Sequence, residues 1–134
     1  MKPPPMDMAC PAFVPLIEED IIDNEIMDLT IKYYLDDFVK ENDIDTFVLG
    51  CTHYPLISKN LKRLYPGVKI ISSSKEVATA VNIELDKRDL YADRKSGEDV
   101  FYASDLSDNF VHMIQLILGQ DQDDLNIKFK NLDL

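Results

Sequence analysis

The chain has 134 residues, of which 46% are hydrophobic and 29% charged, with few glycines. That suits one soluble α/β domain with its own core and is too short for two independent domains of typical size. Fourteen basic residues against 25 acidic ones leave a net charge of -11, which argues against nucleic acid and, more weakly, against an anionic membrane surface. A small anionic substrate stays open, because backbone amides and helix N-termini hold a carboxylate without any lysine. No apolar run approaches the ~18 residues of a membrane span, and MKPPPMDMAC lacks the apolar stretch of a signal peptide. Cys10 and Cys51 are too few for a disulfide scaffold, so a cytoplasmic protein with free thiols is expected.

In chain order, the first ordered stretch reads as a short apolar strand within MDMACPAFVPLIEE, followed by proline-punctuated turns. Ile22, Ile26, Leu29 and Tyr33 recur at spacings of four, three and four, which predicts an amphipathic helix from about Ile22 to Lys40. Asp20 or Asp23 would be its N-cap. Asp45 to Gly50, DTFVLG, lacks alternation and suits a parallel strand buried on both faces. Tyr54-Pro55 then opens a helix, since proline fits a first turn; Ile57, Leu61 and Leu64 line one face and Pro66-Gly67 stops it. VKII, Val68 to Ile71, is a further strand. Ser72, Ser73 and Ser74 offer caps to a helix bearing Val77, Val81 and Leu85. Asp86 to Glu98 is charged and reads as a loop. VFYAS, Val100 to Ser104, is a strand, and Phe110, Ile114 and Ile117 mark a helix closed by Gly119. The tail from Gln120 ends in the strand LNIKF. Strands and helices in alternation predict an α/β three-layer sandwich with a mostly parallel sheet.

In such sheets ligands sit at the carboxyl ends of strands. Cys51 lies at one, in the turn Gly50-Cys51-Thr52-His53 that runs toward a helix N-terminus, a setting that favours thiolate. Thr52 adds a hydroxyl, and His53 can take or give a proton near neutral pH. A cysteine after a buried strand is also a common small packing residue, and both readings stand at this point. Cys10, before Pro11, reads as packing, and His112 as a helix-surface residue. The two cysteines and two histidines show no metal-ligand spacing, and no nucleotide loop is present; no metal and no cofactor are expected.

VLGCTHYPLI, Val48 to Ile57, resembles the second cysteine motif of glutamate racemases, and ACPAFVPLIEE, Ala9 to Glu19, resembles that family's other C-terminal signature at the matching distance upstream. The resemblance covers nearly the whole chain, thinning after about Glu84, and marks it as the C-terminal half. It implies a flavodoxin-like half of a pseudo-symmetric two-domain racemase. The activity implied is cofactor-independent interconversion of L- and D-glutamate for peptidoglycan biosynthesis. Two cysteines on opposite faces of the α-carbon do the work, because inversion by a proton shift needs a base and an acid on opposite sides. By matched position, Cys51 would act on the L-glutamate face and Thr52 would bind the substrate's carboxylate or amino group. His53 would assist proton transfer, and Glu18 would hydrogen-bond His53, with Glu19 next in register. From residues alone Glu18 reads as a solvated surface carboxylate.

The family's N-terminal half supplies an Asp-Ser-Gly turn, a Pro-Tyr-Gly segment and the first cysteine before Asn-Thr, and none of these occurs in this chain. Ser72-Ser73-Ser74 stands where the family tends to show a further Asp-Ser-Gly. The resemblance therefore implies residues 1–80 as an incomplete cysteine-motif domain, with residues 81–134 completing the N-terminal domain. The partners implied are glutamate and the N-terminal half, and the chain by itself is expected to be inactive. A non-catalytic amino-acid-binding or regulatory module is the alternative. A homo-oligomer that sets two copies of Cys51 face to face is a third arrangement.

Overall fold

A computed structural model of the chain describes residues 5–93, 97, 99–119 and 126–131. It divides into two compact units, Met1–Asp89 and Leu90–Leu134. The expected loop over Asp86 to Glu98 and the acidic tail from Gln120 fall partly outside the described residues.

The first unit opens with a helix, not the expected strand: α1, Phe13–Glu18. Its proline, which favours a turn, is accommodated by the helix. Pro15 sits in the first turn, where the missing N–H has no intrahelical partner to lose. Phe13 and Ile17, four residues apart, both point into the core, at 2% and 0% exposure. Asp20 adopts φ +56° and its amide donates to the Ile17 carbonyl at 3.0 Å, closing the turn. Aspartate tolerates this left-handed conformation better than bulkier residues do.

The second helix, α2, is Glu25–Asn42, and its cap is Asn24 rather than Asp20 or Asp23: Asn24 Oδ1 accepts from the Met27 amide at 3.1 Å. The buried face is Met27, Ile31 and Leu35, whereas Ile26, Leu29 and Tyr33 lie exposed. Both sets have helical spacing. Packing of α1 and of the later helix Ser58–Leu64 against α2 selects one stripe, and the spacing of the other cannot reveal that by itself.

Strand β1, Thr46–Leu49, pairs in parallel with β2, Lys69–Ser72, with Phe47 opposite Ile70 and Leu49 opposite Ser72. Phe47 and Leu49 are buried, but Val48 is 67% exposed. The strand is therefore covered on one face only, and alternates as a half-covered strand does. Between the strands, a 3-10 turn over Tyr54–Ile57 leads into α3, Ser58–Leu64; of the expected apolar residues, Ile57 is buried in the turn and Leu61 in the helix.

Asp28 of α2 and α3 are joined by a polar clamp. Asn60, 2% exposed, donates from Nδ2 to the Ile22 carbonyl and to Asp28 Oδ1, both at 3.0 Å. Arg63 Nη2 reaches both Asp28 oxygens at 2.7 Å. Burial pushes the Asp28 carboxyl up, but hydrogen bonds from Asn60 and Arg63 and the charges of Arg63 and Lys32 outweigh it and hold the group below its ordinary range. A carboxyl lowered on folding stabilises the fold above its unfolded pKa of about 4, and that stability is lost as pH falls through the folded value. Asp28→Ala is therefore expected to cost about 1–2 kcal/mol near neutral pH, since it also strips buried Asn60 of a partner. Urea unfolding followed by circular dichroism should show the gap between variant and native chain narrowing below about pH 4.

Helix α4, Ser73–Lys87, follows β2 directly and runs unbroken through Ala80. Ser72 stands at its N-cap without a side-chain cap bond, contrary to expectation. Ser72 and Ser74 hydroxyls instead pair at 2.9 Å, and Ser73 Oγ donates to the Leu49 carbonyl at 3.1 Å. None of α4 is buried; Val77 and Val81 lie open to solvent.

The second unit pairs β3, Val100–Ala103, in parallel with β4, Asn126–Phe129. Between them lies α5, Asp108–Leu118, capped by Ser107 Oγ and closed by Gly119 at φ +63°, a conformation glycine adopts without penalty. The fold is thus mixed α/β with short parallel sheets, as the element order predicts.

Candidate active site

The loop Gly50–His53 leaves the carboxyl end of β1 as a series of bends and enters the 3-10 turn, not an α-helix. Two tethers hold it against the α1 segment. Tyr54 Oη donates to the Cys10 carbonyl at 3.3 Å. His53 Nε2 stands 3.2 Å from Glu18 Oε1 at the last position of α1. Phe13 backs the first of them, with its ring edge-on to Tyr54 at 5.4 Å and to Tyr34 at 5.6 Å.

The other imidazole nitrogen is engaged too: His53 Nδ1 lies 3.1 Å from Thr52 Oγ1. Thr52, His53 and Glu18 therefore lie in one polar row, with a hydrogen bond between Thr52 and His53 and an ion-pair contact between His53 and Glu18. Cys51 is half-buried, and among the described residues its sulfur makes no hydrogen bond. The structure brings three of the four expected site residues into contact, with Cys51 beside them in sequence. The residue that sequence reading missed is Tyr54. Its hydroxyl is pushed up from its ordinary value by burial first, then by the neighbouring thiols Cys10 and Cys51 and by Tyr34, against the opposing bond to the Cys10 carbonyl. Its place directly after His53 was the available signal, masked by its reading as a helix opener.

A cleft of about 770 Å³ runs under the loop, with Cys10, Phe13, Phe47, Leu49, Gly50 and Tyr54 among its lining residues. Cys51, Thr52 and His53, between Gly50 and Tyr54 in the chain, are not among its lining residues. Cys10 is 4% exposed, its thiol toward the Met8 carbonyl at 3.8 Å, and burial pushes that thiol up to about 11. This is a packing cysteine. His112 is exposed on α5, in the other unit. Among the described residues no group of three or more His, Cys, Asp or Glu side chains is placed to hold a metal ion, and no helix is long and apolar enough to cross a membrane.

The chain is 46% identical over 112 residues to a glutamate racemase from Persephonella marina, a match spanning 84% of this chain and 41% of that protein. It is 39% identical over 113 residues to the glutamate racemase of Aquifex aeolicus, again spanning 84% of this chain and 41% of the relative. The crystal structure of a Francisella tularensis glutamate racemase in complex with D-glutamate superposes with a TM-score of 0.78 at 28% identity, over 92% of this chain and 46% of that one. A glutamate racemase isoform from Bacillus anthracis gives the same TM-score at 31% identity, over 93% and 46%. This chain is a partial glutamate racemase region. It spans somewhat under half the length of the curated relatives it matches. No protein-family model matches it.

Proposed function

We propose that this racemase region contributes one of two proton-handling half-sites to cofactor-independent interconversion of L- and D-glutamate, supplying D-glutamate for peptidoglycan in the cytoplasm. Cys51 exchanges the α-proton on the L-glutamate face. Thr52 binds the substrate's carboxylate or amino group, His53 assists the proton's passage, and Glu18 holds His53 in orientation. The opposing acid and the rest of the substrate contacts come from an N-terminal portion outside this sequence, with residues 81–134 helping to complete that domain. The observation that supports this most is the Thr52–His53–Glu18 row beside a partly buried thiol, at a strand's carboxyl end, that makes no hydrogen bond among the described residues.

By itself the chain serves one face and is expected not to convert L- to D-glutamate. Fused behind the N-terminal portion of the Persephonella marina relative, it should racemise L-glutamate, read by circular dichroism and by deuterium uptake at the α-carbon. Cys51→Ser in that fusion should lower the rate at least about a hundredfold, the lower range for a positioned acid or base. An equal rate in the variant would show that Cys51 carries no part of the chemistry.

A further inference from the structure

We infer that the charge state of His53 sets which way the Thr52 hydroxyl points its hydrogen, so that proton uptake by His53 turns Thr52 from an acceptor into a donor for a bound carboxylate. This rests on the reading of Thr52 as a substrate contact and deepens it. Glu18 Oε1 lies 3.2 Å from His53 Nε2, and an ionised carboxylate only accepts, so Nε2 carries a hydrogen whether the ring is neutral or charged. In the neutral ring Nδ1 is then bare, and the Thr52 hydroxyl 3.1 Å away must spend its single hydrogen on it. What Thr52 turns to solvent is a lone pair, suited to an ammonium group. When His53 gains a proton, Nδ1–H becomes the donor in the same contact. Thr52 Oγ1 accepts it, and its own hydrogen is freed for a carboxylate.

The geometry permits the outward contact because Thr52 is exposed while the imidazole is only partly so. Glu18 faces the ring from α1, Cys51 and Tyr54 flank it on its own loop, and Cys10 lies behind Tyr54 through the carbonyl that Tyr54 binds. None of them replaces Thr52 at Nδ1. A substrate amino acid carries both a carboxylate and an ammonium group, and the device gives one hydroxyl a different preference between them on the two sides of the imidazole titration.

Long-range proton–nitrogen NMR of the nitrogen-15-labelled chain reads the tautomer directly. The neutral ring should carry its hydrogen on Nε2, and a neutral Nδ1–H form would overturn the inference. Acetate, titrated while the Cys51 and Thr52 amide shifts are followed, reads the donor. Its affinity should be about fivefold tighter below the His53 titration than above it, the effect of about one net hydrogen bond. Added ring charge also attracts an anion, so Thr52→Val separates the two effects: the pH-dependent gain should shrink severalfold in Thr52→Val and persist in Thr52→Ser. An equal gain in Thr52→Val, or no acetate binding on either side, overturns the inference. Repeating the titration in Cys51→Ser should give the native result, and loss of the gain there would assign it to the thiol instead. Racemisation by the fusion protein tests the underlying reading separately, since neither the tautomer nor acetate binding depends on chemistry at an α-carbon.

Discussion

Treated with iodoacetamide near pH 8, the native chain should alkylate at Cys51 at least about a hundredfold faster than at Cys10, as peptide mass spectrometry would resolve. Thiolate is the reacting species, and burial pushes the Cys10 thiol up to about 11. At pH 8 that leaves on the order of one Cys10 in a thousand ionised. The remaining barrier is access: Cys10 is 4% exposed, whereas Cys51 is half-buried at the rim of the loop. A thiol raised on folding stabilises the fold below its unfolded pKa, and that stability is lost as pH rises toward the folded value. Cys10 should therefore stay silent through neutral pH and become reactive as the medium approaches pH 11 or as urea opens the core. Cys51→Ser should abolish the fast phase and leave the slow one. Faster labelling of Cys10 would mean that the α1 segment does not seat as described, and with it the Glu18–His53 contact would fall.

The contents of the candidate site were legible as a set of neighbouring residues, and the packing around it was not. VLGCTHYPLI holds the candidate side chains Cys51, Thr52 and His53 in consecutive positions, so the loop's contents are legible without knowing what surrounds it. Glu18 could not be read that way. Nothing in a run of acidic residues separates it from Glu19 or Asp20, and it gains meaning only because α1 turns it toward an imidazole 35 positions later. The helical spacing of Phe13 and Ile17 was present in the sequence, but Pro11 and Pro15 drew the reading toward turns. In α2 the failure has a different origin. Ile26, Leu29 and Tyr33 have a helical repeat as regular as that of Met27, Ile31 and Leu35, and only tertiary packing decides between them. The apolar Val48, Val77 and Val81, exposed in the first unit, are the complement of that problem: the sequence marks them as buried, and nothing within the unit covers them.

Phe13→Ala should be the most damaging single substitution, at about 3–5 kcal/mol. Phe13 is 2% exposed, and its ring is the joint at which α1, α2 through Tyr34 and, through Tyr54, the end of the loop after β1 meet. Against a domain stability of about 5–15 kcal/mol, such a loss leaves a unit of this size near its unfolding threshold. Chemical denaturation followed by circular dichroism measures the loss. Phe13→Leu separates packing from ring contacts: it refills most of the volume and should cost about 1.5 kcal/mol or less, keeping the unit folded. Leucine offers no edge for Tyr54, however, and the Tyr54–Cys10 tether then holds one side of the loop with less support. In Phe13→Leu the fold should survive while the loop loosens, seen as exchange broadening of the Thr52 and His53 amides. Sharp, unshifted amides in that variant would mean that the Glu18–His53 contact alone holds the loop, and that the aromatic joint serves only the core.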